Sequence, residues 1–444
     1  MLIGTGIPMD QPTTLPNRYL HPRDEILQAM ERIYHYRMTT TSGGNLSIME
    51  KNGDVWITPA RVDKGALRRD DIVSVRANGE VEGIRKPSSE LPIHREIRRR
   101  RPGLGGVVHA HPIALVAFSL VHEVPNTRVF HQARRVCGEV GFVPYALPGS
   151  VALGNVVADT FEQGYDCVIM ENHGVVTAGA TFQDAFRRFE TLEFTAKTLI
   201  KAKLLGGEVR YLSDEQVHLE QRRVLHLEEF APADPSSHEN EIRRRLCEFV
   251  RRAYRQRLFI STQGSFSARV SQNSFLITPS EVDRAGIHPA ELVLVRDGRS
   301  ESGRQPSKAA GIHDAIYRQH PGTGAVVNAY PVNATAFSIT GVPLDTRTIP
   351  ESYVVVRHVG RVPFGMQFED GKELGRILSV KQPALILEND GVLVTGSDVL
   401  EAFDRLEVLE STAEAIINCR AVGSLRPMSD SVTRDLDEAF FGGA

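Results

Sequence analysis

Cysteine is scarce in this chain: four thiols stand at positions 137, 167, 247 and 419, with no Cys-x-x-Cys pair among them. That excludes a disulfide framework and fits a reducing compartment. Excess charge is also lacking. A formal net charge of -3 supplies no basic field of the kind nucleic-acid partners require, and the short Arg98 to Arg101 run reads as a solvated helix end. No run approaches the roughly 18 apolar residues of a membrane span, and the first twenty residues lack both the basic and the apolar regions of a secretory leader. The expectation is a soluble cytoplasmic protein that acts on a small molecule, with neither nucleic acid nor membrane as partner. Core-forming residues, by contrast, are plentiful: 41% are hydrophobic and 24% charged, the balance of compact domains. A chain of 444 residues exceeds one ordinary core, so two domains are expected.

The sequence repeats itself in order, which takes precedence over motif reading. GVVHAHPIALVAFS from Gly106 returns as AVVNAYPVNATAFS from Ala325, an offset of 325 minus 106, or 219. VWITPARVDKGAL at Val55 returns as FLITPSEVDRAGI at Phe275, and SGGNLSI at Ser42 as TQGSFSA at Thr262. KPSSELPIHREI at Lys86 matches QPSKAAGIHDAI at Gln305, and CVIMENHGVVTAG at Cys167 matches ALILENDGVLVTG at Ala384. Between the copies, Ala-Pro-Ala-Asp-Pro-Ser-Ser cannot continue a helix. The boundaries read as domain one over 18–215, a linker over 216–236, and domain two over 237–444. Each copy mixes helical periodicity with short strands, so a mixed sheet covered by helices is expected in both. The long helix that begins near Asp184 should stop at Gly206-Gly207.

His109 and His111 are two apart in a strand-like segment, so both imidazoles project from one face and can reach one ion. His173, in Glu171-Asn172-His173-Gly174 after the apolar run Cys167 to Met170, is the candidate third ligand. Three imidazoles with an open position form a catalytic zinc arrangement. The repeat acts as an internal control. The three positions become Asn328, Tyr330 and Asp390 in the second copy while the neighbouring prolines, glycines and apolar residues persist. Residues needed for packing would not be lost as a set; ligands of one shared ion would. Glu90, at a helix start in Pro87-Ser88-Ser89-Glu90, becomes Ala309 and disappears with them, so it reads as the acid/base. His94 persists as His313 and reads as structural. Gly43, Gly44, Asn45, Thr58, Ser88 and Ser89 are small or hydroxylic residues in loops, suited either to holding an anion or to ordinary turn chemistry.

The set Gly44-Asn45, Ile57-Thr58-Pro59, Ser88-Ser89-Glu90, His109-Ala110-His111 and Asn172-His173-Gly174 resembles the class II aldolase/adducin family. The resemblance covers the first copy almost entirely and the second in frame only. It implies two tandem α/β/α three-layer domains with mixed, largely antiparallel central sheets, the second having lost its metal site. It also implies one zinc ion, or another divalent metal such as manganese, cobalt, nickel or iron, on His109, His111 and His173. The activity implied is lyase chemistry: cleavage of a carbon–carbon bond in a small hydroxylated oxo compound through a metal-stabilised enediolate, with Glu90 as acid/base. One departure bears on substrate. Sugar-phosphate members continue the Thr-Pro loop with Ser-Gly, whereas here it runs Thr58-Pro59-Ala60-Arg61. Arg61 suits a carboxylate, which keeps decarboxylation or dehydration of an oxo-acid open beside aldol cleavage. A non-catalytic scaffold, as in cytoskeletal members of the family, fits the second copy but not the first. Members commonly form four-fold rings, so the resemblance implies a homo-oligomer in which two tandem chains make a pseudo-four-fold ring, with Glu351 or Tyr353 reaching a neighbouring metal site.

Overall fold

The computed structural model describes residues 20–219 and 227–442. The first half builds an eight-stranded sheet from β1 (Asn45–Met49), β2 (Val55–Ile57), β3 (Val73–Val75), β4 (Val81–Glu82), β5 (Gly106–Ala110), β6 (Val140–Val143), β7 (Cys167–Met170) and β8 (Val175–Gly179). Their spatial order is β4-β3-β2-β1-β5-β8-β7-β6. Neighbours are antiparallel except β6 and β7, which run parallel. All five residues of β5 are buried, because helices cover both faces. Leu46, Val108 and Val175 pack beneath the helices Pro22–His35 and Phe182–Leu205. Val107, Val168 and Val176 pack on the opposite side beneath Leu91–Arg100 and Val151–Glu162. Successive strand residues thus serve opposite layers, as the pleat requires, and the result is the expected α/β/α sandwich.

The second half repeats this plan with β9 (Glu229–Phe230), β10 (Ser265–Ser271), β11 (Ser274–Ile277), β12 (Val293–Arg296), β13 (Arg299–Glu301), β14 (Ala325–Ala329), β15 (Val359–Val362), β16 (Ala384–Leu387) and β17 (Val392–Gly396). Its order, β9-β13-β12-β11-β10-β14-β17-β16-β15, is that of the first sheet with one strand added at an edge. The added strand lies in the stretch read as linker, 216–236. Glu229 and Phe230 pair in parallel with Ser300 and Glu301, and Leu227 and Phe230 pack against the second half. Two apolar side chains are enough to bind the end of that stretch to a sheet edge.

The two halves share a core. Helix Phe182–Leu205, which ends as expected with Gly206 in the left-handed conformation at φ 82°, is buried on all sides over Thr191 to Ala196, as a helix sandwiched between layers must be. Phe194 meets Phe130 from its own half and Tyr330 from the other. At the edge of this seam Glu190 is fully buried. Its carboxylate accepts from Arg32 at 3.1 Å, from Arg257 at 3.0 Å and from the Tyr254 hydroxyl at 2.5 Å, while Arg32 also pairs with Asp283.

A second buried device recurs in both halves. His94 takes the Ser47 hydroxyl proton on Nδ1 at 2.6 Å, and His313 takes that of Ser267 at 2.7 Å. Each bonds a side chain at the opposite ring nitrogen, so the neutral ring is a crosslink between helix and sheet. Burial pushes His94 down to about 3 and His313 down to about 4 from the ordinary 6.5.

Glu190→Gln leaves two largely buried guanidiniums short of a charge, and a loss of about 3 kcal/mol in stability is expected from urea unfolding midpoints. The His313 depression sets a sign for pH. The unfolded chain takes up a proton below 6.5 that the folded one refuses until about 4, so stability is fully present above pH 6.5 and falls as pH drops across that window. His313→Gln should flatten this part of the profile by on the order of 3 kcal/mol.

Candidate metal centre

β5 lies between β1 and β8 with His109 directly opposite Asn45 on one side and Val176 on the other. This register turns His109, like Val107, toward the helix Leu91–Arg100, whose N-terminal cap is Glu90. His109 is fully buried and its Nδ1–H donates to the Val175 carbonyl at 2.9 Å. That bond fixes the tautomer and leaves the Nε2 lone pair for a ligand. His111 follows at the strand end, with its Nε2 3.2 Å from His109 Nε2. His173 enters from the turn between β7 and β8. Asn172 takes φ 52° there, a left-handed conformation that Asn tolerates, and the chain reverses so that His173 faces back over the sheet. Gly174 completes the turn, since a Cβ at that position would stand 2.6 Å from the His111 ring. One ligand atom from each of the three histidines lies within 4.8 Å of the others. Among the described residues they are the only His, Cys, Asp or Glu trio so arranged.

Glu90 sits against this trio. Its Oε2 is 3.1 Å from His109 Nε2 and its Oε1 is 3.6 Å from His173 Nε2. Asn45 Nδ2 donates to Oε2 at 2.7 Å. Burial alone would raise the carboxyl, but the His109 imidazole and the Asn45 amide outweigh it and hold Glu90 well below the usual carboxylate range. Burial likewise acts to lower His109, and the adjacent carboxylate overcomes it and raises the ring above its ordinary value. The other two rings go the opposite way: burial and the neighbouring imidazole charge push His111 down to about 3 and His173 down to about 4. The site thus offers two imidazoles held unprotonated, His111 and His173, beside a buried carboxylate in contact with His109.

The remaining sequence-predicted residues divide into frame and rim. Asn45 is buried and orients Glu90, and its own amide is set by His94, whose Nε2–H donates to Asn45 Oδ1. The relay Ser47–His94–Asn45–Glu90 gives His94 a positioning role, which sequence reading reduced to structure; its only sequence signal was the shared spacing of His94 and His313. Thr58 is fully buried, with Oγ1 accepting from the Leu46 amide at 3.2 Å. Thr278 does the same for Phe266. This hydroxyl is buried and bonded within the frame in both halves. Gly44, at φ 72°, lets β1 start against the His109 carbonyl, which a Cβ would approach to 2.8 Å. Ser88 is buried and its Oγ accepts from the Glu90 amide at 3.3 Å, shaping the helix start. Ser89 and Arg61 are exposed. Arg61 takes φ 55° and makes no ion pair with another described residue. Lys64 was not anticipated: it is buried, its Nζ donates to the Pro59 carbonyl at 2.7 Å, and Arg284 makes the matching bond to Pro279 at 2.9 Å.

In the second half the same scaffold carries different chemistry. Asn328 accepts from His313 Nε2 at 2.8 Å, and Tyr330 and Asp390 are engaged by Gln132 from the first half, the latter at 2.8 Å. Ala309 occupies the helix start. Tyr353 donates to Asp437 at 3.1 Å in its own half, while Glu351 is exposed. No described helix is long and apolar enough to cross a membrane.

Comparison with known proteins agrees with this duplication. The family model described as "Class II Aldolase and Adducin N-terminal domain" matches twice, over residues 24–200 and 244–417. An L-fuculose phosphate aldolase of Methanococcus vannielii is 33% identical over 179 residues, 39% of this chain and 92% of that protein. A 3-oxo-tetronate 4-phosphate decarboxylase of Haemophilus influenzae is 31% identical over 199 residues, covering 44% and 93% respectively. Among solved structures, the l-fuculose-1-phosphate aldolase of Thermus thermophilus aligns over 41% of this chain and 96% of its own, at 25% identity and a TM-score of 0.37. With two family-model matches that together span most of its length, the chain belongs to the class II aldolase and adducin N-terminal domain family, present here in two tandem copies.

Proposed function

We propose that the first half is a metal-dependent lyase that cleaves a carbon–carbon bond in a small hydroxylated oxo compound. The observation that carries this reading is the convergence of three imidazoles beside a buried, ionised carboxylate. The donor set fits a divalent cation. Two nitrogens held at roughly 2.0–2.1 Å by a tetrahedral ion stand about 3.3 Å apart, and His109 and His111 offer theirs at 3.2 Å. His109, His111 and His173 would hold one zinc, or manganese, cobalt, nickel or iron, per chain. When bound, such an ion supplies Lewis-acid polarisation of a carbonyl oxygen.

The chain's own residues supply the proton chemistry. Glu90 Oε2 is occupied by Asn45 and faces His109, so Oε1 is the freer oxygen and the one that moves a proton. It accepts the proton of the hydroxyl on the carbon that departs as aldehyde. The electron pair of the broken carbon–carbon bond passes to the carbonyl of the other fragment. Arg61 and Ser89, exposed on loops beside the framework, bind the anionic end of the substrate. Arg61 also favours a second reading, decarboxylation of an oxo-acid, because an unpaired guanidinium recognises a carboxylate bidentately. The names of the two curated relatives include one of each kind, an aldolase and a decarboxylase.

The working unit in this reading is a ring of two chains. Within one chain, the helix His131–Cys137 of the first half reaches the former metal site of the second, with Gln132 on Asp390. The matching segment of the second half holds Glu351 and Tyr353, and a second chain docked head to tail would bring it to the first-half site. Glu351, being exposed, is the better placed of the two.

Elemental analysis should find about one divalent ion per chain, lost in His109→Ala. Glu90→Gln should keep the ion and lower turnover by roughly 10²- to 10⁴-fold. Aldehyde against carbon dioxide release, over a panel of phosphorylated ketoses and oxo-acids, separates the two readings; no product from either class would refute both. Mixing inactive His109→Ala chains with Glu351→Ala chains should restore about a quarter of wild-type activity, since half the reassembled rings hold one complete site in two. No recovery would remove Glu351 from the site.

A further inference from the structure

The second half has lost its ligand trio but not its hollow. Where the first half holds its histidines, the second has a cavity of about 160 Å³ lined by residues of both halves, a volume comparable to one that holds a ring of six carbons. Most of its lining residues carry polar side chains, and two of them differ in charge from their counterparts at the start of the Glu90 helix. Ala309 replaces the carboxylate of Glu90 at the start of the ten-residue helix Ala310–Gln319 and lines the cavity, so the positive end of that helix carries no carboxylate at its cap. Lys308 stands where the first half has Ser89, at the same turn and exposed at the mouth.

The acidic groups in the lining are already engaged. Asp390 accepts from Gln132 at 2.8 Å, and Glu281 pairs with Arg187. One donor is not engaged. Gln367 is only 5% exposed and lines the cavity. Its Oε1 accepts from the Gly365 amide at 2.9 Å, which fixes the orientation of the amide group, and its Nε2 has no partner. A buried donor left unpaired is costly and rare, and it calls for a ligand atom that accepts.

We propose that this cavity is a metal-free binding site for a small organic anion, whose carboxylate or phosphoryl oxygens accept from Gln367 Nε2 and the first-turn amides of Gly311 and Ile312 beside Lys308. A ligand there also touches Gln132 and Asn328, and so bridges the two halves across their shared seam. The site is independent of the chemistry assigned to the first half, and its test is carried out with that centre emptied by chelator.

Full-length protein in excess chelator is titrated calorimetrically with inorganic phosphate and, separately, with malonate. One equivalent of one probe should bind per chain and raise the thermal midpoint; the tighter probe identifies a phosphoryl or a carboxylate ligand. Gln367→Leu and Lys308→Glu should each weaken that binding tenfold or more, and Arg61→Ala should leave it unchanged. Lys308 lies at the surface, so Lys308→Glu keeps the test decisive if Gln367→Leu fails to fold. Binding of neither probe, or binding that Arg61→Ala abolishes while Lys308→Glu leaves it intact, would overturn the proposal.

Discussion

The antiparallel pairing of three central strands decides nearly everything in the first half. With Gly106–Ala110 held between Asn45–Met49 and Val175–Gly179, His109 faces the end of the helix that carries Glu90, and its Nδ1 meets a β8 carbonyl. A one-residue slip would send His109 to the opposite layer, among Val108 and Val175, because strand side chains alternate. The ladder therefore sets both the direction of the imidazole and the tautomer in which it is presented. Everything that follows, from the depressed carboxyl of Glu90 to the unprotonated rings of His111 and His173, depends on that registration.

Duplication separates the frame from the chemistry. The second half retains the Thr278 bond to its neighbouring strand, the buried cation of Arg284 on the Pro279 carbonyl, and the His313 crosslink. It has lost Glu90 and all three imidazoles. A frame that survives without its ion is held by burial and backbone hydrogen bonds rather than by metal coordination, so the two halves can carry different functions on one scaffold.

The shared core ties those halves together. Helix Phe182–Leu205 is covered from both sides, and Glu190 closes the seam with cations from each half. A buried carboxylate with this many partners favours one relative placement of the two domains, since any other leaves a charge unpaired in a low-dielectric interior. The same placement brings Gln132 of the first half over the emptied site of the second.

The amino-acid sequence by itself determined the duplication, the strand-and-helix alternation, and the coordinated loss of His109, His111, His173 and Glu90 in the second copy. These are legible because repeats and side-chain periodicities are properties of a line. Tertiary structure alone decided that Thr58 and Ser88 accept from backbone amides, that Asn45 donates to Glu90, and that His94 bonds Asn45, because each is a hydrogen bond that depends on how the folded chain places its groups. It also decided that Glu229 and Phe230 form a sheet edge and that the corresponding position of the second half is a cavity lined by both halves. Both depend on what another segment covers, and no local pattern in the sequence records that.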